Sequence, residues 1–126
     1  MAIKYYLTIV GGGPGGYVAA IKAAQLGMKV ALFEEDKLGG VCLNWGCIPT
    51  KSLLHSAEFM EEANHFGLDK KDLTKIALDK VVKMSRTASD NLSKGVNSLM
   101  KKNKIDIYKH RAYPKKIDNE FFVNTT

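Results

Sequence analysis

The sequence has few of the residues on which several classes of protein depend. It holds two cysteines and three prolines among 126 residues. Two cysteines are too few for the disulfide scaffold of a small secreted protein, and they cannot form a four-cysteine zinc site. No apolar run approaches the roughly 18–20 residues that cross a bilayer, and no signal-peptide cleavage pattern follows the N-terminal apolar stretch. We therefore expect no membrane partner and a location in the cytoplasm or, in a eukaryote, the mitochondrial matrix.

The composition is that of a soluble globular protein, and the length suits one compact domain. Hydrophobic residues make up 45% of the chain and charged residues 25%. The net charge of +6 is uneven, because residues 70–126 carry 14 Lys and Arg against 6 Asp and Glu. These cations are mostly scattered lysines without interleaved aromatic residues. The pattern favours a solvated helix surface over a nucleic-acid interface, so we expect no nucleic-acid partner.

The first 33 residues alternate between short apolar segments and one longer helical segment. Ile3–Val10 is an apolar segment of strand length, and Met28–Phe33 is a second one. Between them, the apolar residues of Pro14–Leu26 are typical of a buried helix, which Gly27 would end. A strand, a helix and a strand in this order predict the βαβ unit of a parallel sheet, and hence a Rossmann-like α/β fold.

The rest of the chain is predicted to contain long helices and a C-terminal hairpin. Apolar residues recur at three- and four-residue steps in the helical segments. Asp118-Asn119, between two short segments of strand type, is typical of a hairpin turn. The predicted elements are a loop over Lys37–Asn44, helices over Cys47–Asn64 and Leu73–Met100, and strands over Ile105–Tyr108, Ala112–Ile117 and Glu120–Asn124.

A glycine cluster follows the first strand and satisfies the pattern G-x-G-x-x-G at Gly11, Gly13 and Gly16. In a dinucleotide-binding turn, the first glycine permits the tight turn, the second lets backbone approach a diphosphate, and the third lets the helix pack closely. Glu34 follows the second strand, where a carboxylate can accept hydrogen bonds from ribose hydroxyls. Glu35 or Asp36 is an alternative ribose contact, and a glycine-rich turn without a ligand is the alternative for the whole motif.

The two cysteines are separated by four residues in the segment Cys42-Leu-Asn-Trp-Gly-Cys47. The four intervening residues can fold so that the two sulfur atoms meet. Cys47 is predicted at a helix N-terminus, where backbone N–H groups stabilise a thiolate and favour redox chemistry. Two buried free thiols, or half of a metal site with His55, are the alternatives.

These motifs together resemble the pyridine nucleotide–disulfide oxidoreductases. The segments that carry the resemblance are GGGPGGYVAA, the acid after the second strand, and GGVCLNWGCIPTKSLL. Within that family, CLNWGCIPTK and the following SLL resemble the dihydrolipoamide dehydrogenases most. Mercuric and glutathione reductases share the glycine turn and the cysteine spacing, and they stay as alternatives within the class. A non-catalytic nucleotide-binding module is the alternative from another class.

The resemblance implies an FAD-dependent enzyme that oxidises dihydrolipoyl groups and reduces NAD+, and it implies no metal. It assigns Cys42 as the interchange thiol that meets substrate and Cys47 as the charge-transfer thiol against the flavin. It also assigns residues to each part of the cofactor. These are Gly11, Gly13, Pro14, Gly15 and Gly16 at the diphosphate, Glu34 and Glu35 at the ribose, Gly40, Val41 and Cys42 along the cofactor, Lys51 near the flavin, and Ala112 near the adenine.

The resemblance also implies what surrounds this chain. Residues 1–126 correspond to the N-terminal part of the FAD-binding domain of a longer homodimeric enzyme, whose NAD, central and interface domains lie outside the chain. The partner is then the lipoyl domain and E2 core of a 2-oxo-acid dehydrogenase complex, and the chain alone is expected to be inactive. Two positions depart from the family pattern: Val41 stands where threonine is common, and His110 stands where glycine is common.

Overall fold

A parallel three-stranded sheet forms the centre of the fold. The structure is a computed structural model, which describes residues 3–73 and 75–126 and all of their side chains except that of Lys70. Two long helices and a separate hairpin follow the first βαβ unit. The elements are β1 Leu7–Val10, α1 Pro14–Gln25, β2 Val30–Phe33, α2 Gly40–Asn44, α3 Cys47–His65, α4 Lys70–Leu73, α5 Leu78–Lys102, β3 Asp106–Tyr108, β4 Ala112–Ile117 and β5 Glu120–Thr125.

The sheet has the strand order β1-β2-β3, and every pairing in it is parallel. Leu7 pairs with Val30, and Ala31 pairs with Asp106. The middle strand is covered on both faces, since Val30, Ala31 and Leu32 are all buried. This explains why β2 is a continuous apolar segment rather than an alternating one. The carboxyl ends of the parallel strands meet at one edge, to which the glycine turn and Glu34 belong.

The hydrophobic core joins the sheet to α1 and α5. Small alanines on α1 allow that helix to approach β2 closely, while α5 contributes larger side chains near its C-terminal end. The loop before α2 and α2 itself each add one leucine. The buried cluster consists of Ala20, Ala23, Val30, Leu32, Leu38, Leu43, Val96, Met100 and Ile105.

A tyrosine cluster ties the segment before β1 to β3. The hydroxyl of Tyr5 donates to Asp106 Oδ2 at 2.8 Å and lies 2.6 Å from the hydroxyl of Tyr108. The Tyr108 ring stacks on Phe33 with centroids 4.8 Å apart. Burial first, and then these hydrogen bonds, raise the pKa of Tyr5, so its hydroxyl stays protonated at physiological pH.

The predicted α/β class and most elements are confirmed, but several boundaries are wrong, and the short helices α2 and α4 were not predicted. The second strand begins at Val30 rather than Met28, and the first begins at Leu7 rather than Ile3 because Leu7 pairs with Val30. A short helix, α2, lies inside the segment predicted as a loop. The long helix begins at Leu78 rather than Leu73, because Ala77 is extended with ψ 117° and separates α5 from α4. Apolar periodicity continues through this break, and Thr74 lies outside the described residues.

The C-terminal hairpin is confirmed with its predicted turn. Ile117 pairs with Glu120, and the two residues between them both have positive φ, 44° for Asp118 and 69° for Asn119. Positive φ at both central positions is the geometry of a type I′ hairpin turn. Among the described residues, no helix is long and apolar enough to cross a membrane.

Candidate functional site

The turn between β1 and α1 presents backbone N–H groups at the edge of the sheet. Gly11 has φ +102° and donates its N–H to the Phe33 carbonyl at 2.8 Å, which ties the turn to β2. Helix α1 then begins at Pro14, and within the described residues no side chain caps its N-terminus. The first N–H groups of a helix have no partner in the helix and favour an anion.

Glycine suits the positions of this turn for different reasons. A Cβ atom on Gly16 would overlap the carbonyl oxygen of Gly11 and approach the Ile9 side chain at 3.5 Å. The close approach of α1 to the turn therefore requires glycine there, as predicted. Gly13 has an ordinary φ of −69°, and a Cβ on it would lie 4.0 Å from the nearest atom, the Gly40 Cα. The fold itself does not require glycine at this position, whereas a diphosphate held against the backbone would.

Glu34 is held in place at the carboxyl end of β2. Its Oε2 accepts the Gly12 N–H at 2.7 Å, and its Oε1 accepts the Asp36 N–H at 2.9 Å. Each carboxylate oxygen has a second lone pair, so the side chain can still accept a hydrogen bond from a hydroxyl group. The sequence pattern placed Glu34 at this edge but did not indicate its bond to the glycine turn.

The segment after β3 reaches the same edge. Arg111 Nε lies 3.7 Å from Glu35 Oε2 in an exposed ion pair. Ala112, the next residue, is buried and begins β4. The Glu34 N–H donates to the Tyr108 carbonyl at 3.0 Å. The structure thus brings the two segments that were predicted to meet the nucleoside part of a cofactor, Glu34–Glu35 and the start of β4, to the same edge of the sheet.

An open pocket of about 260 Å³ lies at the ends of β2 and β3, between the loop before α2 and helix α5. Such crevices beyond the carboxyl ends of parallel strands are where α/β sheets bind ligands. Glu34, Lys37, Ser93 and Lys109 are among its lining residues.

The disulfide segment is attached directly to the glycine turn. The Gly39 N–H donates to the Gly12 carbonyl at 2.8 Å. A Cβ on Gly40, which has φ +61°, would lie only 2.9 Å from the Gly13 Cα. Both contacts join backbone to backbone, so the predicted diphosphate-binding turn and the cysteine segment lie directly against each other.

Cys42 and Cys47 form a disulfide bond, with their Cα atoms 4.6 Å apart. Cys42 lies within α2 and is half-buried, while Cys47 is exposed and is the first residue of α3. Neither cysteine is free, so the alternative of two unpaired thiols is wrong. Within the described part of the chain, no group of three residues is arranged to hold a metal ion, and His55 is exposed on α3.

The remaining predicted residues surround this disulfide. Lys51 follows Cys47 by four positions on α3, which places it on the same helix face, and it is exposed. No acidic residue lies in the first turn of α3, so the helix N-terminus and Lys51 both favour a negative charge at Cys47. Val41 is also exposed.

Three residues of the site were missed in the sequence. Asn44 is buried, and its Nδ2 donates to the carbonyls of Leu38 at 3.1 Å and Gly40 at 3.0 Å. Arg86 Nη1 donates to the Asn44 carbonyl at 3.1 Å, and Ser93 Oγ donates to the Leu38 carbonyl at 3.2 Å. The position of Asn44, a polar residue between the two cysteines, was a signal that could have identified it. Nothing in the sequence pattern of α5 distinguishes Arg86 from the other cations of that helix.

Comparison with known proteins identifies the family. The sequence model of the family described as pyridine nucleotide-disulphide oxidoreductase matches residues 5–121. The chain belongs to this family. Its relatives in the family include proteins named dihydrolipoyl dehydrogenase. That of Rhizobium etli is 56% identical over 110 residues, which cover 85% of this chain and 23% of that protein.

Two further relatives give the same picture. The dihydrolipoyl dehydrogenase of Bacillus subtilis is 51% identical over 86% of this chain and 23% of its own length. Dihydrolipoyl dehydrogenase 2, mitochondrial, of Arabidopsis thaliana is 49% identical over 82% of this chain and 21% of its own length. The chain spans about a quarter of the length of the family relatives that it matches.

Solved structures share the fold of this family member. LpdA from Mycobacterium tuberculosis superposes with a TM-score of 0.78 at 21% identity, over 94% of this chain and 29% of that one. RclA from Escherichia coli, described as an HOCl-induced flavoprotein disulfide reductase in a Cu(II) complex, gives a TM-score of 0.70 at 26% identity. That match covers 93% of this chain and 24% of RclA.

Proposed function

We propose that this chain is the N-terminal part of the FAD-binding domain of a dihydrolipoyl dehydrogenase. That enzyme oxidises dihydrolipoyl groups and reduces NAD+. The observation that carries the proposal is the backbone contact between the glycine turn and the Cys42–Cys47 segment, in a chain whose relatives are named dihydrolipoyl dehydrogenase. If the turn binds a dinucleotide, its contact with the disulfide segment would bring a redox cofactor next to a redox disulfide.

The residues at the edge of the sheet fit FAD. The open N-terminus of α1 suits its diphosphate, for which Gly13 leaves room, with Gly11, Pro14, Gly15 and Gly16 shaping the turn. The oriented carboxylate of Glu34 suits a ribose hydroxyl, and the pocket beside it suits the nucleoside. Glu35, Gly40, Val41, Lys51 and Ala112 complete the proposed set. When bound, FAD would take an electron pair from the dithiol and pass it to NAD+.

The disulfide exchanges with the substrate dithiol. A dihydrolipoyl thiolate attacks Cys42, the bond between Cys42 and Cys47 breaks, and a mixed disulfide forms while Cys47 leaves as a thiolate. The second substrate thiol then displaces Cys42, which closes the lipoyl disulfide and leaves both cysteines reduced. Two electrons have moved from substrate to protein; one proton is released when the attacking thiol ionises, and the other passes to Cys42 while Cys47 stays a thiolate. Cys47 suits the role of leaving thiolate because the N-terminus of α3 and Lys51 stabilise its charge.

The NAD site and the rest of the proposed enzyme lie outside these residues. With this activity, the enzyme would be a homodimer whose substrate is the lipoyl domain of a 2-oxo-acid dehydrogenase complex. Of the three relatives described above, two are bacterial and one is named mitochondrial, which supports a location in the cytoplasm or the mitochondrial matrix.

Replacement of Gly13 tests the cofactor site. A Cβ atom at Gly13 has room in the fold, and Gly13→Val places a branched side chain where the diphosphate would lie. We expect at least about tenfold weaker FAD binding, because lost charge-assisted hydrogen bonds are worth about 1.5–3 kcal/mol. The measurement is flavin content and FAD titration of the enzyme that carries this chain, with the melting temperature of the apoprotein alongside.

Gly95→Val is the matched control, because Gly95 lies in α5 with open space around it. It should retain flavin, and the apoprotein of both variants should melt like the unmodified apoprotein. Normal flavin content in Gly13→Val would show that the turn does not hold the cofactor.

A further inference from the structure

Helix α5 forms hydrogen bonds with both ends of α2, the short helix that carries Cys42. Arg86 Nη1 donates to the carbonyl of Asn44, the last residue of α2, and Ser93 Oγ donates to the carbonyl of Leu38, two residues before α2 begins. Arg86 and Ser93 are seven positions apart and so lie on one face of α5, about 10.5 Å apart along its axis. A five-residue helix is about 7.5 Å long, so the two contacts bracket α2.

The Arg86 contact supplies a partner that α2 cannot supply for itself. The last carbonyl groups of a helix have no N–H partner within it, and a cation at that end is favourable. Within α2 no basic residue lies in the last turn, so the guanidinium of Arg86 fills this role from another helix. Small buried residues, Ser85 and Ser89, lie on the same side of α5 and allow the close approach.

The interactions that hold α2 in place differ between the oxidised and the reduced chain. In the oxidised chain, the bond between Cys42 and Cys47 ties α2 covalently to the start of α3. Reduction adds two electrons and two protons, breaks the sulfur–sulfur bond and removes that tie. Hydrogen bonds then have to hold α2, and Arg86 is the residue that holds its C-terminal end.

We propose that Arg86 is a positioning residue for the redox disulfide, which keeps Cys42 beside Cys47 when both are reduced. The contact and the disulfide order the same short helix, so each lowers the entropy cost of the other. Loss of the contact therefore disfavours the disulfide relative to the dithiol. The proposal rests on the proposed redox function of this pair, and it extends the site to a residue 39 positions beyond Cys47.

The test is the thiol–disulfide equilibrium of Cys42 and Cys47 in the apoprotein of the enzyme that carries this chain, with a dithiothreitol redox buffer. Alkylation traps the free thiols, and mass spectrometry counts them. In Arg86→Ala we expect a roughly tenfold lower ratio of disulfide to dithiol, which is about 30 mV for a two-electron couple. Alkylation of reduced Cys42 should be faster by a similar factor. Arg86→Lys, which retains a charged donor, should recover most of the change.

Lys83→Ala is the matched control, because it removes one positive charge from the exposed surface of α5, one turn before Arg86. It should leave the equilibrium unchanged. An equal shift in Lys83→Ala, or a ratio in Arg86→Ala within twofold of the unmodified chain, overturns the proposal. If Arg86→Ala loses its helical circular dichroism, Ser93→Ala replaces it and must shift the equilibrium in the same direction; no shift there also overturns the proposal.

The unmodified chain separates this proposal from the proposed function. If its disulfide does not exchange with the buffer, the redox function fails, and the positioning role fails with it. If the disulfide exchanges and the Arg86 variants do not differ from the control, only the positioning role fails.

Discussion

The glycines in the turn after β1 are required for different structural reasons. Gly11 has a positive φ that the tight turn requires, and Gly16 leaves room for the Gly11 carbonyl oxygen. Neither reason applies to Gly13, whose small size instead suits a bound diphosphate. The G-x-G-x-x-G spacing predicted the roles of Gly11 and Gly16 correctly, and the role of Gly13 at a diphosphate stays a prediction. The spacing could not predict that Glu34 would bond to Gly12, because these residues are 22 positions apart and their contact depends on the register of β1 against β2.

Substitution of neighbouring glycines separates packing from helix propensity. Gly16→Ala forces backbone to move away from the Gly11 carbonyl, and we expect a loss of about 1–3 kcal/mol in the free energy of unfolding. Gly15→Ala meets no atom within 4 Å and should gain up to about 0.5 kcal/mol from helix propensity. Urea denaturation of both variants measures the difference. Equal stability of the two would contradict the close packing of α1 on the turn.

At the scale of elements, the sequence predicts those with strong periodicity or clear turn residues. The strand–helix–strand unit, α3, β3 and the hairpin all lie where apolar patterns and Asp118-Asn119 indicate them. Helix α2 was not predictable, since five residues give no periodicity. The start of α5 was placed wrongly because the apolar spacing continues across the extended backbone at Ala77.

The hairpin turn provides a prediction at this scale. Asn119 has φ +69°, a conformation that costs a β-branched residue about 1–2 kcal/mol. In Asn119→Val, amide hydrogen exchange in β4 and β5 should therefore become about tenfold faster. Asn124→Val is the control, because Asn124 lies within β5, where β-branched residues are favourable. Unchanged exchange in Asn119→Val would mean that the turn does not limit the stability of the hairpin.

At the scale of the whole molecule, the candidate site depends on segments that are distant in sequence. The glycine turn, the end of β2, the cysteine segment and α5 meet at one edge of the sheet. Local motifs predicted the first three, because each carries residues whose chemistry is characteristic. Arg86 and Ser93 could not be predicted, since their role depends on how α5 packs against α2 and not on their local pattern.

The visible spectrum of two cysteine variants of the flavin-loaded enzyme tests most directly whether the cofactor turn and the disulfide are one site. In Cys42→Ser, the Cys47 thiolate remains next to the flavin, and we predict long-wavelength charge-transfer absorbance without added reductant. In Cys47→Ser, this absorbance should be absent, and Cys42 should alkylate readily. Absorbance in Cys47→Ser alone would reverse the roles of the two cysteines. Absence from both variants would contradict a site in which a thiolate of this chain faces the flavin.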